Sequence, residues 1–129
     1  MTIRIEGVDE LIRKLGKVEG PAVLRKPMEE AVSLVQREMK VYPVARPESK
    51  YRRTKTLGRR WTRKVTQSPN GVTGIVGNNT TYAPWVQSSQ FQAWMHQGRW
   101  TTDKQAIEMH TDTIVERFRR AIHNALARG

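Results

Sequence analysis

The sequence predicts a small α+β domain. Its expected parts are a short N-terminal strand, two N-terminal helices, an antiparallel β-hairpin or sheet with a long basic loop, and a long C-terminal amphipathic helix. Apolar and polar residues alternate in residues 2–6 and again after residue 60, which is typical of strands. Apolar residues recur at helical spacing in residues 27–40 and 102–127. A length of 129 residues fits one domain, 1–129.

The first half of the chain contains one strand and two helices by this pattern. Residues 2–6 form the strand, which Gly7 ends, and a helix is expected from Asp9 to about Gly16. Pro21 and Pro27 each suit a first helical turn, and the spacing of apolar residues predicts the next helix from Pro27 to about Lys40. Its predicted buried face consists of Met28, Ala31, Val32, Val35 and Met39.

A β-hairpin is expected from about Leu57 to Gly77. Trp61, Arg63 and Val65 lie two residues apart and share one face of the outgoing strand. Residues 68–71 read Ser-Pro-Asn-Gly, which favours a tight turn, and residues 72–76 then form the return strand.

The last helix is expected to begin after Thr102, which with Gln105 forms a capping box, and to continue to about Ala127. Acidic residues spaced by four predict a solvated face, with Glu116 close to Arg119 or Arg120. These acids are Glu108, Asp112 and Glu116. The predicted apolar face is Ile107, Ile114, Phe118, Ala121, Ile122 and Ala125.

Positive charge is concentrated in one stretch. The chain has 23 Lys and Arg against 12 Asp and Glu, a net charge of +11, and residues 46–64 supply nine bases and one acid. We expect an exposed basic arm at about 43–60, which contacts either phosphate groups or an acidic protein surface. A solvated loop without any ligand is the other interpretation, and charge alone does not decide between them. The candidate residues are Arg46, Lys50, Tyr51, Arg52, Arg53, Lys55, Arg59 and Arg60.

A second candidate site is an irregular segment rich in aromatic residues. Aromatic side chains in such a segment either cap the core or form a protein interface. We expect Trp61 and Trp85 in the core, and Trp94 and Trp100 at an interface. The candidate residues of the segment are Tyr82, Trp85, Phe91, Trp94 and Trp100.

Several function classes lack their usual signals in this sequence. The absence of cysteine excludes disulfides, thiolate zinc sites and a cysteine nucleophile. No apolar run approaches the roughly 20 residues of a membrane span, and we expect no signal peptide, because acidic and basic residues interrupt the first apolar positions. The three histidines make no i, i+4 pair and are expected to be solvated or at an interface. We therefore expect no catalytic site, no metal, no cofactor and no membrane partner.

Several segments resemble a known family when they are taken in order. Residues 5–11 resemble the strand–glycine–helix start of tailed-bacteriophage neck and tail-completion proteins, also called phage morphogenesis or minor tail proteins. Residues 54–62 are similar to that family's Thr-Gly-x-Leu motif, although Lys55 replaces the usual glycine and Arg60 a small residue. Residues 76–79 and 82–87 resemble its most recognisable signature, and residues 92–93 and 96–100 resemble the segment that follows.

The resemblance implies a structural virion protein rather than an enzyme. Such proteins complete the tail or join it to the head, so the implied location is the head–tail junction of the virion, after synthesis in the bacterial cytoplasm. The implied partners are further copies in a homo-oligomeric ring, for which we expect a hexamer, and head-completion, tail-terminator or tail-tube proteins. DNA in the channel is a further candidate partner. The alternative from charge and size is a small basic nucleic-acid-binding protein or ribonuclease-like toxin.

Overall fold

The computed structural model describes residues 1–6, 20–43, 56–68 and 71–128. The strands are β1 (Thr2–Glu6), β2 (Trp61–Ser68) and β3 (Gly71–Asn78). The helices are α1 (Gly20–Met39), α2 (Thr56–Arg59), α3 (Ala83–Gln87) and α4 (Asp103–Arg128), and a 3₁₀ turn spans Trp94–His96. The α+β class, the N-terminal strand and the long C-terminal helix are confirmed. The expected helix at 9–16, the turn residues 69–70 and most of the basic arm lie outside the described residues.

The strands form one antiparallel sheet in the order β1-β3-β2. Val76 of β3 lies opposite Ile3 of β1 on one side and Arg63 of β2 on the other. Burial alternates along β3, where Val72, Gly74, Val76 and Asn78 are buried and their neighbours half-buried. This period of two shows that one face of the sheet is packed against the core.

Helix α1 covers that face of the sheet and also packs against α4. Gly74 allows α1 to come close, because a Cβ atom built there would lie 2.4 Å from Val32 Cγ1 and 2.7 Å from Met28 Sδ. The predicted face of α1 is confirmed: Met28, Ala31, Val32, Val35 and Met39 are all at most 1% exposed. Complete burial of such a side chain contributes about 1.5–3 kcal/mol.

The predicted start of α1 is wrong by seven residues. The helix begins at Gly20, so Pro27 lies inside it rather than in its first turn. An interior proline removes one backbone hydrogen bond and costs about 3 kcal/mol. Leu24, one turn before Met28, is fully buried in the same apolar cluster. This burial offsets much of that cost and extends the helix towards its N-terminus.

The predicted start of the hairpin is also wrong. Leu57 and Gly58 belong to the four-residue helix α2, and strand pairing begins only at Trp61, opposite Asn78. Leu57 is buried in a second apolar cluster with Ala83 and Val86. The Asn78 side chain donates a hydrogen bond to the Leu57 carbonyl over 2.8 Å. These contacts hold the backbone away from the sheet at this point.

The capping box of α4 is confirmed. The Gln105 N–H donates to Thr102 Oγ1 over 3.2 Å, and the Thr102 N–H donates to Gln105 Oε1 over 3.0 Å. The expected contact of Glu116 with Arg119 is also present, at 2.7 Å. The apolar face packs against the core through Ile107, Ile114, Phe118 and Ile122, which are half-buried, while the neighbouring Ala106 is fully buried.

Two side-chain contacts join α1 to α4 in antiparallel order. His110 Nε2 lies 3.0 Å from a Glu38 carboxylate oxygen, and Arg117 lies 3.7 Å from Glu30. The expectation that the histidines are solvated or at an interface is therefore wrong for His110, whose side chain is 18% exposed between two helices of its own chain. Glu108 and Asp112 are exposed as expected.

Candidate protein-interaction surface

Exposed apolar side chains of the described residues are concentrated in one short segment. Five of the nine large hydrophobic residues that are exposed lie between positions 82 and 95. They are Tyr82 (44% exposed), Trp85 (59%), Phe91 (52%), Trp94 (80%) and Met95 (48%). We call these five residues the aromatic surface. Aromatic residues and methionine are the types enriched at protein interfaces, so the composition favours protein binding.

The structure corrects the expectation that Trp85 belongs to the core. Helix α3 turns Ala83, Val86 and Gln87 inward, and all three are buried. Successive helical residues are about 100° apart, so Trp85 projects to the opposite side and reaches solvent. There its ring meets Phe91 edge to face, with 6.4 Å between ring centroids and an angle of 64°. The expectation of a buried Trp61 is confirmed, whereas Trp94 is exposed and its predicted role at an interface stays a prediction.

Trp100 is turned towards the protein rather than towards solvent. Its ring packs edge to face on Tyr42, at 4.9 Å between centroids, and contacts the small cluster of Leu57, Ala83 and Val86. His96 meets the same indole at 6.4 Å and 89°. Trp100 therefore anchors the segment, and its predicted role at an interface stays a prediction.

The backbone behind the aromatic surface is held by the side chain of Gln92. Its Nε2 lies 2.7 Å from the Val86 carbonyl, 3.3 Å from that of His96 and 3.2 Å from that of Trp100. The Ala93 N–H also donates to the Trp85 carbonyl over 2.7 Å. One amide group thus joins both ends of the irregular segment.

Gln87 attaches the same segment to the rest of the fold. Its side chain is fully buried, and Nε2 donates to the Met39 carbonyl over 2.9 Å and to the Thr101 carbonyl over 3.1 Å. The Met39 carbonyl is one of the last four of α1, which have no partner within a helix. Gln87 therefore joins α3 to the end of α1 and to the residues before α4.

We call the hydrogen bonds made by the side chains of Gln87, Gln92 and Asp103 the framework of this segment. Asp103 contributes a carboxylate at the start of α4. Asp103 Oδ1 accepts hydrogen bonds from the Ser89 N–H over 2.9 Å and the Lys104 N–H over 2.8 Å. A negative charge in the first turn is also favoured by the helix dipole. The aromatic surface thus stands on a backbone fixed at both ends, which lowers the ordering cost of binding a partner.

The basic arm starts and ends beside this framework. The Gly58 N–H donates to the Tyr42 hydroxyl over 2.9 Å, and a Cβ atom on Gly58 would lie 2.8 Å from Tyr42 Cε1. Tyr42 in turn contacts Trp100. The residues that flank positions 44–55 are therefore held together next to the aromatic segment.

Most of the predicted arm residues lie outside the described residues. These are Arg46, Lys50, Tyr51, Arg52, Arg53 and Lys55. Arg59 and Arg60 are described, and both are exposed. Arg63 follows on β2, where its Nη1 donates to Gln36 Oε1 over 2.6 Å, while Gln36 Nε2 donates to the Trp61 carbonyl. Arg63 thus helps to hold β2 on α1.

A groove of about 470 Å³ lies between the first half of α1 and the second half of α4. Cations from both helices line it, and the Glu30 carboxylate between them already contacts Arg117. Across residues 1–6, 20–43, 56–68 and 71–128, no group of three or more His, Asp or Glu side chains could hold a metal ion. Of the described helices, none is long and apolar enough to cross a membrane.

The side chains that build the framework had no assigned role in the sequence analysis. Gln87 and Gln92 were missed because a lone amide carries no periodic signal that would identify it as buried. Comparison of the chain with protein-family models, with curated proteins and with solved structures found no match.

Proposed function

We propose that this chain is a structural protein of the neck of a tailed bacteriophage. It completes the tail, or joins the tail to the head, as one subunit of a homo-oligomeric ring of six copies. Its partners are its own copies and the adjoining head-completion, tail-terminator or tail-tube proteins, with DNA in the channel as a further contact. Its place is the head–tail junction, and its role is assembly rather than catalysis.

The observation that carries this proposal is the aromatic surface on its fixed framework. Large exposed rings on a preorganised backbone are suited to a permanent protein contact, and a monomer rarely exposes such a patch without a use for it. The ring form and the phage setting come from the resemblance of residues 5–11, 54–62, 76–79, 82–87, 92–93 and 96–100, which includes the end of the basic arm and part of the aromatic segment. A ring subunit needs two different surfaces, one for each neighbour.

Quantitative mass spectrometry of purified particles tests the proposal. Particles are produced in the bacterium that carries the gene, separated by density, and compared before and after deletion of the gene. We expect a fixed copy number close to six per particle, and unjoined heads and tails after deletion, with joining restored by the intact gene. Complete, infectious particles that lack the protein would refute the assignment.

A small nucleic-acid-binding protein is the second candidate, favoured by the exposed Arg59 and Arg60 next to the basic stretch. It predicts tight binding of RNA or DNA by the isolated chain, with a steep loss of affinity as salt increases. Under this alternative, R59A/R60A weakens binding strongly, whereas R37A/K40A, which removes two exposed cations of the α1 end, has a smaller effect. Equal losses in the two double variants would indicate nonspecific attraction only.

A further inference from the structure

We propose that the aromatic surface is the docking site for residues 44–55 of a neighbouring copy. The arginine and lysine side chains of that segment would lie over the exposed rings of Trp85, Phe91 and Trp94. The inference rests on the proposed function, because a ring requires each copy to present one donor segment and one acceptor surface. The inference identifies the aromatic surface as that acceptor.

The donor segment, residues 44–55, is strongly basic. Residues 44–55 contain five basic side chains, one acid and one tyrosine, which gives a net charge of +4 in twelve residues. Such a segment is bound by carboxylates, by phosphates or by the faces of aromatic rings. The choice among these depends on what a second copy offers.

Most carboxylates of the described residues already have a partner within the chain. Of eight described Asp and Glu side chains, five pair with an arginine or lysine and Glu38 contacts His110. Asp103 accepts two backbone hydrogen bonds at the start of α4. Only Asp112 of this set is without such a contact. A cationic segment would therefore share most of these acids with an existing partner.

The aromatic surface offers cations another kind of binding site, namely the faces of its exposed rings. Residues 71–102 contain no Asp or Glu, the neighbouring Asp103 carboxylate already accepts the Ser89 N–H, and three of the exposed side chains are Trp or Phe. A guanidinium over such a ring gains about 0.5–1 kcal/mol at an exposed site, and more where water is excluded. Several contacts of this kind together select an arginine-rich partner.

The two ends of the donor segment lie close to the aromatic segment. The contact between Tyr42 and Gly58 holds its two flanking residues together, and Tyr42 touches Trp100 of the aromatic segment. Twelve residues that leave and return at one point extend to at most about 20 Å from it. A neighbour packed beside Tyr42 lies within that distance, and repetition of the same contact around an axis closes a ring.

Photo-crosslinking with isotope-labelled copies tests this inference on the full chain. Tyr51 is replaced by benzoylphenylalanine in chains of natural isotope content, and these are mixed with unmodified ¹⁵N-labelled chains. Trypsin releases residues 65–99, the whole aromatic surface, as one peptide between Lys64 and Arg99. We expect the crosslink to join position 51 of a light chain to the ¹⁵N form of that peptide.

Matched variants in the ¹⁵N chain identify the rings as the acceptor. W85S/W94S should reduce the inter-copy crosslink about tenfold, since two cation–π contacts are lost. M109S/V115S removes two apolar side chains of similar exposure from α4 and should leave the yield unchanged. W94F, which keeps an aromatic ring, should retain most of it.

Each other outcome overturns the inference. A crosslink only to the light peptide 65–99 would show docking within one chain, and a crosslink to another peptide would place the acceptor elsewhere. The absence of an inter-copy crosslink at every concentration at which the chain stays soluble would also refute it. These failures are separate from failure of the proposed function, which is decided by the copy number in particles and by the joining of heads to tails.

Discussion

The α1–sheet core and the aromatic segment are stabilised in different ways. In the core, apolar side chains fill the space between helix and sheet, and Gly74 leaves room for Met28 and Val32. In the aromatic segment, amide side chains hold an irregular backbone while large rings stay in solvent. This chain therefore uses hydrogen bonds to backbone carbonyls where its large apolar side chains stay in solvent.

A large loss of stability is expected from filling the space at Gly74. In G74A the added methyl group would lie 2.4 Å from Val32 Cγ1, a distance that a stiff β-branched side chain cannot easily relieve. We expect the free energy of unfolding to fall by about 3 kcal/mol, as for a strongly overpacked core. Urea denaturation followed by far-UV circular dichroism measures the change.

Gly77 provides the control on the same strand. A Cβ atom there would meet nothing closer than 3.5 Å, the backbone oxygen of Met1. G77A should therefore change the free energy of unfolding by less than about 1 kcal/mol. In addition, V32A should cost less in the G74A background than alone, because the two side chains compete for one space. Equal losses in G74A and G77A would show that the close approach of α1 is not what Gly74 provides.

Q87L tests the framework, because leucine keeps the size of the side chain but lacks its N–H donors. The carbonyls of Met39 and Thr101 then lose their partner in a buried site. We expect a loss of about 2 kcal/mol in the free energy of unfolding. We also expect tryptophan fluorescence to report a change around the aromatic segment. Q90L, at an exposed position of the same segment, should stay within about 0.5 kcal/mol, and a neutral Q87L would contradict the role of the framework.

The two regions also differ in how far the sequence predicts them. The buried face of α1, the alternation along β3 and the capping of α4 were predicted correctly, because each depends on a local period or on residues three positions apart. Trp85 was misplaced, since a five-residue helix is too short to show its orientation by spacing. Gln87 and Gln92 were missed because their acceptors are main-chain carbonyls, one of them 48 residues away, and no sequence pattern encodes that pairing.

T102A tests the point at which the aromatic segment joins α4. The variant removes the oxygen that accepts the Gln105 N–H, one half of the capping box, directly after the carbonyl that Gln87 binds. The expected loss is about 1 kcal/mol, the usual value of an N-cap. T111A is the matched control, because Thr111 lies exposed inside α4 and only bonds back to the Ile107 carbonyl. Similar losses in both variants would indicate a general helix effect rather than a cap.

W94S is expected to change stability the least and self-association the most. Trp94 is 80% exposed whereas Trp61 is 3% exposed, so the same residue type occurs in both environments. W94S should change the free energy of unfolding by less than about 0.5 kcal/mol, while W61A should lower it by about 3–5 kcal/mol. Urea denaturation of the two variants measures this difference. Sedimentation of W94S beside the unmodified chain then measures self-association. Loss of self-association at unchanged stability would separate the two roles of tryptophan, and a large loss of stability in W94S would place its ring in the fold instead.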